Sequence, residues 1–151
     1  AQMVKLEASA RQASIVQELS ECGIPICAHL GLRPQYIHKL GGYTMQGKDD
    51  ASAKELIENA QSLQAVGADM LLLECVPDDL AHKITQQSSI PVIGIGAGGQ
   101  CDGQILVLHD VLGITQGETP KFAKNFLAEA DDIPAAITNY VQDVKNLKFP
   151  A

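Results

Sequence analysis

Charged and polar side chains stand at or beside the ends of three apolar segments of the chain, where a charge is costly unless it is paired or used. Lys5 and Glu7 are alternate residues of the first segment, His29 follows the second, and Glu74 comes directly after three leucines in the third. Lysine, histidine and glutamate are residue types that perform general acid–base catalysis. Each of them taken alone also fits a solvated strand end, so we predict a shared site because three segments each supply a residue.

Five apolar segments are the predicted strands that position these residues. They are continuous apolar runs instead of alternating ones, which is typical of a parallel sheet covered on both faces. Helical periodicity lies between and after them, so the sequence predicts an α/β fold whose strands are adjacent, parallel and in chain order. The predicted strands are Met3–Glu7, Ile24–Ala28, Asp69–Glu74, Pro91–Ile95 and Ile105–Leu108. The predicted helices are Ser9–Cys22, Asp49–Val66, a segment that begins at Pro77, Pro120–Glu129 and Ile133–Leu147.

Two loops and one dipeptide at predicted strand ends are further candidates for ligand contact. Residues 31–48 form a connection longer than a crossover helix requires, and they follow a strand end of the kind that binds ligands in parallel α/β folds. The glycine-rich segment Gly94–Gly99 either admits a ligand close to backbone amides or is a tight turn, and it lacks the features of a dinucleotide fingerprint. His109 and Asp110 are either site residues or a polar rim.

Composition bounds the class of protein. The chain has 151 residues, of which 46% are hydrophobic, so it can bury a sizeable core. It is too short for a complete eight-fold β/α barrel, which needs about 250 residues. Eleven basic against eighteen acidic residues give a net charge of −7, which argues against a nucleic-acid or anionic-membrane surface. No apolar run approaches the roughly 18 residues of a membrane span.

The cysteine pattern argues against a zinc site. Cys22, Cys27, Cys75 and Cys101 form no CxxC pair, and no pair of histidines follows at zinc-ligand spacing. We therefore expect free thiols, as in a reducing compartment, and a cytoplasmic location.

Seven stretches of the sequence together resemble the ketopantoate hydroxymethyltransferase family. The resemblance runs in order through essentially the whole chain, and several of the stretches are long and unusual. They are Val4–Glu7, Ile24–Gln35, Gly41–Gly47, Leu73–Pro77, Pro91–Gly98, Asp102–Asp110 and Pro120–Phe126.

This resemblance implies a (β/α)8 TIM barrel of the phosphoenolpyruvate/pyruvate superfamily and a one-carbon transfer. The family converts 3-methyl-2-oxobutanoate and 5,10-methylenetetrahydrofolate to 2-dehydropantoate in pantothenate biosynthesis, through an enolate stabilised by Mg²⁺. By motif match, Glu74 is expected to be the catalytic base, Lys5 and His29 to bind the 2-oxo acid, and Glu7 to bind the metal. The resemblance also suggests a homo-oligomer, a decamer.

We expect residues 1–151 to form a single domain, the C-terminal part of such a barrel, with about five strands that match family strands four to eight. The family's first three strands, which carry two metal-binding aspartates, have no match here, so we expect the piece alone to be inactive. Two alternatives stay open. One is another metal-dependent aldolase or lyase of the superfamily, against which Gly41–Gly47 argues; the other is a non-catalytic half-barrel that pairs with another chain through its bare first strand.

Overall fold

The computed structural model describes residues 1–150 of the chain. The chain divides into two compact units, Ala1–Gly103 and Gln104–Ala151, and each is described by itself. The expectation of a single domain stays a prediction. Within residues 1–150, no helix combines the length and the apolar character that crossing a bilayer requires.

The strands form one sheet in which chain order is also spatial order, with β1 and β5 at the edges. The pairings among β1 to β4 are parallel, and their register places Glu7 beside His29 and Gly31 beside Glu74. The predicted α/β class is therefore confirmed, in an arrangement consistent with part of a β/α barrel. The strands are β1 (Val4–Glu7), β2 (Ile26–Gly31), β3 (Met70–Glu74), β4 (Val92–Ile95) and β5 (Gly103–Gln104).

Three of the four helices of the first unit contribute side chains to a core on one face of this sheet, and the short α2 contributes none. The helices of that unit are α1 (Ala13–Glu21), α2 (Ile37–Leu40), α3 (Asp50–Ala65) and α4 (Asp78–Gln87). The core between them and the strands consists of buried aliphatic side chains, among them Val16, Ile26, Ala28, Leu30, Leu63, Leu71, Leu73, Ile84 and Val92.

The face of the sheet away from these helices carries the candidate site residues. The core on the helix side of the sheet contains Leu30 and Leu73, and Leu6 packs against it. Because successive side chains of a strand point to opposite faces, their neighbours along each strand lie on the other face. These neighbours include Lys5, Glu7, His29 and Glu74.

The second strand runs further than the sequence predicts. The prediction ends it at Ala28, but β2 continues to Gly31, so His29 lies inside the strand instead of after it. Pairing continues because Leu30 and Gly31 are still in register with β3. A polar residue such as His29 can lie within a strand when its side chain is on the face of the sheet that carries the candidate site.

The predicted fifth strand, Ile105–Leu108, is wrong. The strand at this edge is the short β5, and Leu108 begins a helix, α5 (Leu108–Val111). The amide of Val111 donates to the carbonyl of Val107 at 3.0 Å, which is the helical pattern. A short apolar run shows no period, so it fits a strand and a helix equally well.

The predicted helix Pro120–Glu129 is also wrong, because only Leu127–Glu129 forms a 3₁₀ turn. The amide of Phe126 donates to the carbonyl of Val111 at 2.8 Å, a long-range bond that replaces the local bond of a helix. Asn125 Oδ1 accepts from the amide of Leu127 at 3.0 Å and so begins the turn. Tertiary contacts of Phe126 therefore override the helical periodicity.

The last helix agrees closely with the prediction Ile133–Leu147. α6 (Ile133–Lys145) begins after Asp132, whose carboxylate accepts from the amide of Ala135 at 2.8 Å. Its Tyr140 packs edge-to-face with Phe126 and Phe149, with ring centroids 5.4 to 5.9 Å apart. This cluster forms the core of the second unit.

Candidate active site

Three neighbouring strands bring Lys5, His29 and Glu74 into contact. Lys5 Nζ on β1 lies 3.3 Å from Nδ1 of His29 on β2. Nε2 of the same ring lies 3.1 Å from Oε2 of Glu74 on β3. The imidazole thus bridges an ammonium and a carboxylate, and three of the four predicted site residues are joined in one chain of contacts. Their roles stay predictions.

The bridging imidazole is buried, but one of its nitrogens is not satisfied. The side chain of His29 is 1% exposed, whereas that of Glu74 is 16% exposed. This contact between the two side chains does not have the geometry of a hydrogen bond, and Nε2 has no hydrogen-bond partner within residues 1–150. A buried polar atom left in this state costs about 1–3 kcal/mol. Such atoms need an explanation, and a catalytic role is one.

Gly31 allows β2 and β3 to approach closely beside Glu74. Its φ is +84°, and a Cβ there would overlap the carbonyl oxygen of Glu74 and lie 2.7 Å from Val76 Cγ2. The same carbonyl accepts from the amide of Leu32 at 2.8 Å. The backbone of the candidate base is therefore fixed by the end of β2. Sequence reasoning missed Gly31, whose signal is a glycine two residues after His29.

The loop of residues 41–47 is joined to the end of β3. The amide of Gln46 donates to the carbonyl of Cys75, and the amide of Cys75 donates to the carbonyl of Ile95, at 2.8 and 3.0 Å. Cys75 itself has a φ of +49°, a conformation that is rare for a side chain larger than glycine. The long connection therefore reaches the residue that follows Glu74, as the prediction of a ligand-binding loop requires.

The cysteines are free thiols, as predicted. Burial, and to a smaller extent the Glu74 carboxylate, raises the pKa of the Cys75 thiol to about 11. Burial also raises the pKa of Cys27, although the Lys5 ammonium opposes this shift. A thiol with a raised pKa is a poor nucleophile at neutral pH, so the cysteines near the site are not candidates for covalent catalysis.

Glu7, the predicted metal ligand, contacts a backbone amide. Its Oε2 accepts from the amide of Gln35 at 3.2 Å, at the 3₁₀ turn that follows β2. Over the described part of the chain, no group of three or more His, Cys, Asp or Glu residues is arranged to hold a metal ion. Glu7 supplies one carboxylate, whereas Mg²⁺ prefers near-octahedral oxygen ligation. These residues alone therefore do not form the expected Mg²⁺ site.

The glycine-rich segment after β4 is a close-packed turn. Gly96 and Gly98 have φ values of +60° and +75°. A Cβ at Gly98 would overlap the carboxylate of Asp78, the first residue of α4. Packing against α4 therefore explains a glycine at this position without a ligand.

His109 and Asp110 do not lie at a strand end, because both belong to α5. His109 is exposed, and Asp110 is 5% exposed and accepts a hydrogen bond from the hydroxyl of Thr115. The predicted strand end is therefore wrong, and a role of these two residues in the site or its rim stays a prediction.

Comparisons with known proteins agree on one family. All of residues 1–151 match the family described as ketopantoate hydroxymethyltransferase. Curated relatives named 3-methyl-2-oxobutanoate hydroxymethyltransferase include proteins of Alkalilimnicola ehrlichii, 56% identical over 99% of this chain, and of Marinobacter nauticus, 57% identical over all of it. A Stutzerimonas stutzeri protein of the same name is 55% identical over all of the chain. The chain spans 54–57% of the length of these relatives. With a match over its whole length, the chain belongs to the ketopantoate hydroxymethyltransferase family.

Proposed function

We propose that the protein with this sequence is a hydroxymethyltransferase that converts 3-methyl-2-oxobutanoate and 5,10-methylenetetrahydrofolate to 2-dehydropantoate. Family membership supports the class of reaction. The observation that carries the site is the run of contacts from Lys5 through His29 to Glu74. These contacts put a carboxylate and an ammonium on the same face of the sheet, and the loop of residues 41–47 bonds to Cys75, the residue after Glu74.

In the proposed reaction, Glu74 is the general base. Its carboxylate takes the proton from carbon 3 of the 2-oxo acid, so that a C–H bond breaks and an O–H bond forms. The electron pair is then shared with the keto oxygen as an enolate. Carbon 3 next forms a bond to the methylene carbon of the folate as one of that carbon's two bonds to folate nitrogen breaks. The oxygen of a water molecule replaces the second nitrogen and becomes the new hydroxyl group. The proton taken from carbon 3 and one proton of the water go to the two folate nitrogens.

Lys5 has an electrostatic role in this proposal. Its ammonium offsets the negative charge of the bound 2-oxo acid and that of the enolate that develops from it. The requirement for Mg²⁺, with one carboxylate from Glu7, stays a prediction for the whole protein. The cytoplasmic location and the homo-oligomeric state also stay predictions.

A chimera tests this function. Residues 1–151 replace the matching residues of the Marinobacter nauticus relative, with which they share 57% identity, and the unaltered relative is the positive control. We expect 2-dehydropantoate only when both the 2-oxo acid and methylenetetrahydrofolate are present. A folded chimera that forms no product would contradict the proposal. A chimera that uses free formaldehyde but not the folate would favour the aldolase alternative.

A further inference from the structure

The partners of His29 assign its tautomer. A lysine ammonium has three N–H donors and no acceptor, so in the contact with Lys5 the Nδ1 atom of His29 must accept. The single proton of an uncharged imidazole is then on Nε2. That N–H lies 3.1 Å from Oε2 of Glu74, which is within hydrogen-bond distance.

Both ring nitrogens of His29 therefore face protein groups, although Nε2 is not aligned for a hydrogen bond. Nδ1 faces Lys5, Nε2 faces Glu74, and the side chain is 1% exposed. A histidine that binds a substrate directly needs a ring nitrogen directed at the ligand. The geometry thus differs from the substrate-binding role that the family resemblance implies.

We propose that His29 is a positioning residue: Lys5 fixes its tautomer, and its Nε2–H orients Oε2 of Glu74, so that Oε1 is the oxygen that accepts the substrate proton. One part of this proposal rests on the proposed function, namely that the proton accepted by Oε1 comes from carbon 3. Before the transfer, Nε2–H faces a carboxylate. After it, Oε1 carries the new O–H bond while Oε2 still faces Nε2–H, so His29 keeps its own proton throughout.

The backbone around the site is held by hydrogen bonds, so the carboxylate of Glu74 is the group that can change position. The carbonyl of His29 accepts from the amide of Ala8 at 3.1 Å, and the carbonyl of Glu74 accepts from the amide of Leu32 at 2.8 Å. With both backbones held, rotation of the Glu74 side chain is the movement that can align Oε2 with Nε2–H. Catalytic hydrogen bonds are often poorly aligned before substrate binds and tighten in the complex.

The first test reads the tautomer directly. Nitrogen-15 NMR of the 151-residue chain, recorded where imidazoles are uncharged, separates a protonated ring nitrogen from an unprotonated one. We expect His29 to carry its proton on Nε2, and Lys5→Met to give a mixture of both tautomers. The exposed His38 serves as the reference for an unconstrained ring. A proton on Nδ1 of His29 in the unaltered chain would overturn the proposal.

The second test uses two amides that replace different nitrogens of the ring. In the chimera, His29→Gln can place an N–H near the position of Nε2, whereas His29→Asn reaches only the position of Nδ1. We expect hydrogen exchange at carbon 3 to be about tenfold faster in His29→Gln than in His29→Asn. The dissociation constant of the 2-oxo acid should be nearly the same in both variants, because the histidine does not bind it.

The outcomes of the second test separate the possible roles. A large and equal rise in the dissociation constant in both variants would assign His29 to substrate binding and contradict the proposal. Faster exchange in His29→Asn would contradict it as well. If the unaltered chimera shows no exchange, the proposed function fails, and the tautomer measurement alone decides whether Lys5 fixes the Nε2–H form of His29 as proposed.

Discussion

Lys5 places a positive charge beside the buried imidazole at the edge of the sheet. Lys5→Met keeps the apolar stem and removes this charge. We expect the affinity of the chimera for 3-methyl-2-oxobutanoate to fall about 10- to 100-fold, since a hydrogen bond to a charged group contributes about 1.5–3 kcal/mol. Isothermal titration calorimetry measures this change. The control is Lys54→Met, because Lys54 lies on the exposed face of α3 with its side chain 79% exposed. Equal affinities in the two variants would show that Lys5 does not hold the substrate.

Cys75 provides a test of the buried environment beside Glu74. With its pKa raised to about 11, about one Cys75 thiol in a thousand is a thiolate at pH 8. We therefore expect iodoacetamide to label the exposed Cys22 well before Cys75 at pH 8, and the labelling of Cys75 to accelerate as the pH approaches 11. Mass spectrometry of peptides gives both rates. In urea, where the burial is lost, the two thiols should react alike; equal rates in the folded protein at pH 8 would contradict the pKa shift.

The raised pKa of Cys75 also predicts that the folded protein loses stability at high pH. Between the ordinary thiol pKa of 9.0 and the raised value of about 11, the unfolded chain loses the Cys75 proton and the folded chain keeps it. The contribution of this group to stability is therefore complete below pH 9 and is lost as the pH rises through that interval.

The types of the site residues are predictable from the sequence, but their contacts are not. Lys5, His29 and Glu74 are noticeable because charged or polar residues are rare next to runs of aliphatic residues. Which nitrogen of His29 meets which partner depends on the register of three strands that lie far apart in the chain. Glu7 has a partner, the amide of Gln35, that depends on the same long-range geometry.

At the scale of the elements, the end of β2 determines where Glu74 lies. We expect Gly31→Ala to lower the free energy of unfolding by about 2–5 kcal/mol. The reasons are the strain of a left-handed conformation, about 1–2 kcal/mol, and the overlap of the new Cβ with the carbonyl of Glu74 and with Val76, about 1–3 kcal/mol. Urea denaturation of the 151-residue chain measures the loss.

Gly23→Ala is the matched control for this substitution. Gly23 has a φ of +76°, and a Cβ built there meets nothing within 4 Å. It should therefore lose only the conformational part, about 1–2 kcal/mol. Equal losses at the two glycines would mean that the close approach of β2 to β3 does not constrain Glu74.

Elements whose ends are marked by local signals are predicted well. α3 begins where Asp49 caps it through the amide of Ser52, and α6 begins after Asp132 in the same way. β2 and β5 are predicted poorly because pairing with a neighbouring strand decides where they end. Residues 120–129 are predicted poorly because Phe126 bonds to the distant Val111.

At the scale of the whole molecule, we expect the 151-residue chain alone to offer an incomplete site. We expect it to bind Mg²⁺ weakly and to form no 2-dehydropantoate, since Glu7 is the carboxylate it supplies and no larger group of ligands occurs within residues 1–150. Calorimetric titration with Mg²⁺ and an assay free of host enzyme measure both properties. Turnover of about 1 per second or more by the purified chain would contradict this account.

Family membership is the property that the sequence predicts best. Long stretches in the right order identify the family, and the relatives at 55–57% identity confirm it. The fold alone does not, because β/α barrels perform many different reactions. The geometry adds what the family name leaves open, which is how Lys5, His29 and Glu74 meet.

The central claim is that Glu74 takes the proton from carbon 3, and hydrogen exchange tests it most directly. The chimera is incubated with 3-methyl-2-oxobutanoate in deuterated water without folate, so that proton removal is observed apart from transfer. Glu74→Gln keeps the size of the side chain but removes the basic oxygen, and Glu58→Gln alters an exposed glutamate on α3 as the control. We expect exchange to fall about 10²- to 10⁴-fold in Glu74→Gln, with substrate still bound, and to be unchanged in Glu58→Gln. Exchange at the unaltered rate in Glu74→Gln would show that another group is the base.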